Sequence, residues 1–347
     1  MTTAPEIKRL LVMRNDRVGD LVLTLPALAY ARKALPAAEI TVLAAKNTAC
    51  LLEQNPHVDR LLIDDRSTSA RQLARELKPF AFDAAAIVHT ESRNCLAVWL
   101  AGIPTRVTWY YNPISRLLGN RWVTVHRSRP PIHESEFALA FIRRLHCDPL
   151  IEPTPPHIHL AGAVRDRVRG RLEYQLGRRG PLFGVHPGNY HSAPNWPSDR
   201  YLELVIRLAA VGCVVVTGGP GESELLESMR RKLPGSLRAR VAFHHEFSLM
   251  ELAAAISLQD VLTVSNTGPM HLGGVLGTPL VALFSADPVQ SPAKWAPLGQ
   301  RHTILKAPLL AGESPTVPRS KAWDHMCRIA VEEVVHANLR HLESAAA

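Results

Sequence analysis

The stretch from Val261 to Phe284, VLTVSNTGPMHLGGVLGTPLVALF, limits the fold of this 347-residue chain more than any other. Residues 261–264 read as a buried strand, Ser265-Asn266-Thr267-Gly268-Pro269 as a tight polar turn, and residues from about 270 to 276 as a short helix. Gly277-Thr278-Pro279 stops that helix, and 280–284 form a second buried strand. Strand, helix and strand in this order make half of a parallel α/β unit. The turn leaves N–H groups free at a helix N-terminus, beside two hydroxyls and an amide. Together they favour a bound anion such as a phosphate. His271, one residue further in, can add a hydrogen bond or a positive charge.

The same grammar runs through the chain. Residues 9–13 predict a strand, Arg14-Asn15-Asp16-Arg17-Val18-Gly19-Asp20 a polar loop, and 21–35 a helix with Pro26 inside it. Strands over 40–43, 60–63 and 84–88 alternate with helices near 48–54, 70–77 and 93–101. Residues 109–133 are irregular, basic and aromatic, reading either as an ordinary surface loop or as an acceptor-binding one. A helix from 133 to 145 follows, then the proline-rich linker 148–159. The second half predicts strands 182–185, 213–217 and 241–243 before the opening stretch, with helices over 165–177, 200–211, 224–232 and 249–257. A proline-rich loop over 285–319 and a last helix over 326–342 complete it.

Ligands of open parallel sheets bind at the carboxyl ends of strands. His186-Pro187-Gly188-Asn189 and Gly218-Gly219-Pro220-Gly221-Glu222 must lie there, as must the 14–20 loop, where Gly19 lets a substrate approach Asp20 closely. On residue pattern alone Asp20 reads first as a helix N-cap and Glu222 as a first-turn acid.

With 46% hydrophobic and 20% charged residues, the chain suits about two ordinary domains. No signal-peptide pattern stands near the start and no apolar window reaches the roughly 20 residues of a span, so a cytoplasmic protein is expected. Five scattered cysteines read as reduced thiols. Sixteen histidines include no H-E-x-x-H, so no metal is expected. The formal net charge of +9 favours an anionic partner, yet no nucleic-acid module is recognisable, so nucleic acid is not expected.

Taken in order, the motifs resemble glycosyltransferase family nine, the ADP-heptose:lipopolysaccharide heptosyltransferases and their relatives. Arg14, Gly19, Asp20, Leu23, Thr24, Leu25, Pro26 and Ala27 match the family's N-terminal pattern. Gly102-Ile103 with Arg106, His186-Pro187-Gly188, Trp196-Pro197, Gly218-Gly219-Pro220 with Glu222, and Ser248-Leu249 with Glu251-Leu252 match in turn. Thr267, Gly268, Pro269, Met270, His271, Gly277, Thr278 and Pro279 complete the set.

The resemblance implies a GT-B fold, two Rossmann-like domains with parallel sheets facing across a cleft. Residues 1–155 would bind the acceptor, 156–325 the nucleotide-sugar, and a helix in 326–347 would return to the first domain. It also implies an inverting, metal-independent transfer of a heptose-like sugar from an ADP-activated donor to a lipopolysaccharide core or related glycan. Asp20 inherits the role of general base. The donor residues carried over are Gly19, His186, Pro187, Gly188, Trp196, Glu222, Phe247, Ser248, Asn266, Thr267, Gly268, Pro269 and His271. Among these Glu222 would hold ribose hydroxyls, and Phe247 and Ser248 would face the base. Arg14, Arg17, Arg116 and Arg121 are candidates for an anionic acceptor. No cofactor is implied beyond the nucleotide-sugar co-substrate, and the expected protein is a monomer touching the inner membrane face peripherally.

Two positions depart from the family pattern. Asn266 replaces a common Asp, and Pro194 stands where a Lys can meet the donor diphosphate. Either His191, His271, Lys294 or a first-domain arginine compensates, or the donor differs, or activity is weak. Another nucleotide-sugar and a non-catalytic binding protein are the alternatives. A dinucleotide oxidoreductase is disfavoured because the first turn lacks G-x-G-x-x-G.

Overall fold

The computed structural model describes residues 6–126, 131–145, 155–177, 180–189, 193–314 and 325–346, so linker residues 148–154 and His191 lie outside the described residues. The chain divides into two compact units, Met1–His159 and Leu160–Ala347.

In the first unit β1 (Arg9–Arg14) is buried after its first residue, as a run of apolar side chains in the middle of a parallel sheet must be. Helices α1 (Val18–Val22) and α2 (Leu25–Ala34) follow where the sequence predicts one helix. Pro26 explains the break: lacking an N–H, it is tolerated only in a first turn, and here it stands at the start of α2. The unit continues with β2 (Glu39–Ala45), β3 (Arg60–Asp64), α3 (Ala70–Leu77), β4 (Ala84–Ile87) and α4 (Ser92–Leu100). The helix predicted near 48–54 is only a 3-10 turn, Ala49–Leu52.

Then come β5 (Thr105–Trp109), α5 (Pro113–Leu118), β6 (Arg121–Val123) and α6 (Glu134–Arg143). The irregular region expected over 109–133 therefore holds a helix and a strand. β6 is too short for a period-two pattern, and it exists because it pairs with β5, Val107 against Arg121 through Trp109 against Val123.

The second unit begins with α7 (Gly162–Leu176), β7 (Leu182–His186), α8 (Ser198–Val211), β8 (Cys213–Thr217), α9 (Ser223–Lys232) and β9 (Val241–His244). α10 (Leu249–Ser257), β10 (Val261–Ser265), α11 (Gly268–Leu276), β11 (Leu280–Phe284), α12 (Pro292–Trp295), β12 (His302–Lys306) and α13 (Val331–Ala346) complete it. β12 lies inside the stretch read as a loop, where its half-buried edge position left no strong apolar signal. α13 packs against α8, β10 and β11 of its own unit, with Val331, Val334 and Ala337 buried in that core. The sequence reading instead sends this helix back to the first unit. Its apolar stripe shows that it is covered, and only the contacts show by what.

Both sheets are six-stranded and wholly parallel, and they share one topology. The orders β3-β2-β1-β4-β5-β6 and β9-β8-β7-β10-β11-β12 reverse direction between β1 and β4 and between β7 and β10. At such a reversal the flanking helices diverge to opposite faces and open a crevice at the carboxyl ends of the strands. The Arg14–Asp20, His186–Gly188 and Asn266–His271 motifs follow strands that flank these two points.

Candidate active site

At the reversal of the first sheet, Arg14 ends β1 and is 2% exposed. Its Nη2 lies 2.5 Å from Asp20 Oδ1 and 3.2 Å from Glu134 Oε1, and its Nε lies 3.1 Å from Asp16 Oδ1. One guanidinium thus serves three carboxylates. Burial alone would lower the Arg14 pKa, but the three acids outweigh it and hold the guanidinium firmly charged. Asp16 shows the other side of that balance. Burial, with Asp20 and Glu134 adding to it, pushes its carboxyl up to about 7 against the pull of Arg14.

Asp20 is not the N-cap of α1. That position is held by Arg17, whose side chain is exposed, and Asp20 stands in the first turn with its carboxylate given to Arg14. The loop is braced from below. Asn15 donates to Asp64 and Asn94, Asn94 returns a bond to Asn15, and Arg93 clasps both Asp64 oxygens at 2.8 and 2.9 Å. Burial works to raise the Asp64 pKa, but the bonds from Arg93 and Asn15 prevail and lower it. Arg116 and Arg121 are not part of this cluster. Arg116 lies over the Tyr110 ring and Arg121 reaches the Arg144 carbonyl.

The second unit collects the remaining motifs without such charge density. His186 ends β7, and its Nδ1 meets Thr217 Oγ1 of β8 at 2.9 Å. Burial lowers its pKa, despite Glu222 3.9 Å away, so the imidazole is neutral near pH 7. Glu222 Oε2 accepts from the Gly219 N–H at 2.7 Å. Gly188 is required here, since a Cβ on it would come within 2.0 Å of the Glu222 carboxylate. A cavity of about 340 Å³ opens beside these groups, lined by Pro187, Gly188, Asn195, Trp196 and Glu222 among others. A smaller cavity of about 160 Å³ near Leu182, Cys213 and Asp260 lies at the amino ends of the strands, the wrong end for a parallel-sheet ligand.

At the reversal itself, Thr267 is the N-cap of α11 and Pro269 lies in its first turn. Asn266 Nδ2 donates to Gln290 Oε1 at 3.0 Å, so the residue that replaces the family's Asp ties the turn to the segment after β11. The buried His271 ring tilts against Trp295 at 6.5 Å, and Lys294 Nζ stands 5.2 Å over that same indole. Lys294 and His271 thus both contact the Trp295 indole, and Pro194 is buried.

Phe247 and Ser248 have structural partners. Phe247 stacks on His244 at 4.2 Å beneath Arg171, and Ser248 caps α10. Sequence reasoning missed the buried network of Asn195, Tyr201 and Ser265. Ser265 Oγ donates to Asn195 Oδ1 at 2.6 Å and meets Tyr201 Oη at 2.7 Å, while Asn195 Nδ2 donates to the Pro187 carbonyl at 2.6 Å. It ties the ends of β7 and β10 together. The only signal was an Asn immediately before Trp-Pro.

Two parallel sheets of matching topology, with motif residues at both reversals, define a protein of the double-Rossmann, GT-B class. The comparisons make that specific. Residues 70–325 match the model of glycosyltransferase family 9 (heptosyltransferase), and the chain belongs to this family. A putative glycosyltransferase of Haemophilus influenzae is 29% identical over 306 residues, 84% of this chain and 86% of that one. Lipopolysaccharide heptosyltransferase 2 of Escherichia coli is 23% identical, over 86% and 88% of the two chains. The solved structure of E. coli ADP-heptose lps heptosyltransferase II superposes with a TM-score of 0.81 at 21% identity, covering 98% of this chain and all (100%) of that one. A solved E. coli heptosyltransferase with ADP gives 0.71 at 17% identity, covering 96% and 99%.

Proposed function

We propose that this glycosyltransferase transfers a heptose-like sugar from an ADP-activated donor to a hydroxyl of a lipopolysaccharide core or related anionic glycan, with inversion and without a metal. The observation that carries the reading is the Asp20 carboxylate, held 2.5 Å from the buried Arg14 at the carboxyl end of β1 in a heptosyltransferase-family chain. In this reading Asp20 takes the proton of the acceptor hydroxyl as that oxygen attacks the anomeric carbon. Arg14 orients the carboxylate without neutralising it fully, because it is shared with Asp16 and Glu134.

The donor lies on the second unit. Glu222 takes the ribose hydroxyls beside Gly188. The first turn of α11, with His271 and Lys294, meets the negative charge that builds on the departing diphosphate. Lys294 then does what a lysine at position 194 would otherwise do. Arg17 is proposed for the acceptor's anionic groups. The protein works in the cytoplasm as a monomer at the inner face of the membrane. No helix among the described residues is long and apolar enough to cross a bilayer.

Calorimetric titration with ADP, UDP and GDP, with and without magnesium, tests the donor. Selective ADP binding independent of magnesium is expected, weakened about tenfold in Lys294→Ala by loss of a charged contact. A preference for UDP or GDP sinks the ADP assignment. No nucleotide binding at all turns the reading to a non-catalytic relative.

A further inference from the structure

Large apolar side chains are exposed unevenly in this protein. The first unit concentrates them at the β6 edge of its sheet, on α4, α5 and the segments beside them. α4 is apolar on two faces: Cys95, Ala97 and Val98 enter the core, while Leu96, Trp99 and Leu100 face outward at helical spacing. α5 repeats this on a smaller scale with Ile114 and Leu117, the latter 81% exposed.

The two helices pack side by side, so their outer faces form one surface. Trp122 extends it by donating its indole N–H to the Arg116 carbonyl at 3.1 Å, and Tyr110 joins it beneath the Arg116 guanidinium at 5.4 Å. An apolar surface of this kind on a monomer marks an interaction site.

The charges around it say what kind. From Ser92 to His126 the sequence contains no Asp or Glu, but it contains Arg93, Arg106, Arg116 and Arg121. Arg93 and Arg106 are engaged inside the unit, with Asp64 and with the carbonyls of Leu118 and Ile103. Arg116 is exposed at the rim, and Arg121 is half-exposed beside it. Tryptophan and tyrosine rings amid aliphatic side chains, rimmed by arginine on a stretch of chain without acids, match the layered chemistry of an anionic bilayer surface. There the rings settle at headgroup depth and guanidinium groups pair with phosphate.

We propose that the outer face of α4 and α5, with Tyr110, Trp122 and the Arg116–Arg121 rim, docks this protein onto an anionic phospholipid bilayer. The proposal deepens the glycolipid-acceptor reading above. It also moves Arg116 and Arg121 from acceptor contacts to lipid headgroup contacts. Tyr110 follows the carboxyl end of β5, the same sheet end that carries Asp20, so docking here brings the bilayer to the acceptor end of the unit.

Sedimentation with vesicles tests it, using the full chain. Wild type should bind vesicles of phosphatidylcholine mixed with phosphatidylglycerol, bind pure phosphatidylcholine poorly, and release at high salt. Arg116→Glu with Arg121→Glu should weaken partitioning about 25-fold or more, at roughly fivefold per charge removed. Trp99→Ser with Leu117→Ser should weaken it about tenfold. Ile63→Ser, at the opposite β3 edge and 61% exposed, should bind like wild type.

Absence of wild-type binding overturns the proposal, as does equal binding by the patch variants. So does sedimentation velocity showing a wild-type dimer that Trp99→Ser with Leu117→Ser dissolves, which would assign the face to a second copy. ADP affinity, measured on every variant, confirms the fold. It also separates the two readings: vesicle binding without ADP binding would leave this proposal standing and remove the sugar-transfer one.

Discussion

The carboxyl end of β1 and the carboxyl ends of β7 and β10 occupy equivalent places in two sheets of the same topology, yet they are built from opposite materials. The first is a charge cluster, three carboxylates around one buried guanidinium. The second holds one buried carboxylate, Glu222, beside an uncharged His186, and joins its strand ends by neutral hydrogen bonds among Asn195, Tyr201 and Ser265. A buried excess of negative charge costs stability and suits a site that must accept a proton. Neutral donors and a helix N-terminus suit a site that must receive a phosphate anion without holding it irreversibly. The fold supplies two equivalent positions, and in the proposed reading the acceptor's proton is handled at the first and the donor's phosphates at the second.

The sharpest way to break this comparison is Asp20→Ala. Turnover should fall by about 10²- to 10⁴-fold, the usual worth of general base catalysis, while ADP affinity stays within about twofold. Turnover that survives would remove Asp20 from the chemistry, and a parallel loss of ADP affinity would deny the division of labour.

Next come two variants that should differ because Arg14 holds a charge cluster while Ser265 belongs to a neutral hydrogen-bond network. Arg14→Met leaves three acids without their cation and should cost about 3–5 kcal/mol in urea unfolding. Ser265→Ala removes one member of a neutral network and should cost about 1–3 kcal/mol. Equal costs would mean that the charge cluster carries no special electrostatic burden.

The smallest effect is a slope. Asp16 titrates near 7 in the folded chain, above the roughly 3.9 of an unfolded aspartate. Between those values the folded state keeps a proton that the unfolded state has released. The stability this gives is complete below about pH 4 and is lost as pH rises through about 7. Melting curves should therefore show wild type losing a few degrees relative to Asp16→Asn between about pH 5 and 8. Curves that stay parallel would mean that the Asp16 carboxyl is not raised in the folded chain.

Some of this was written plainly along the chain. Apolar strands and polar turns in alternation fix a parallel α/β fold locally, because a strand buried on both faces must be apolar throughout and must be joined through a crossover helix. For that reason β8, α3, α10 and β11 lie where the sequence predicts them. Gly19-Asp20 and Thr267-Gly268 were legible as loop-to-helix starts for the same local reason. Other features depend on partners distant in sequence, and only the tertiary structure decided them. β6 and β12 are strands because a neighbour offers hydrogen bonds, and their own residues carry little pattern. Glu134 joins Arg14 from a position 120 residues away, and Ser265 meets Asn195 from 70 away. His271 of α11 and Lys294 of α12 meet the same Trp295 indole. Periodicity reports which face of an element is covered. What covers it, and which charges meet there, is settled only when the chain closes on itself.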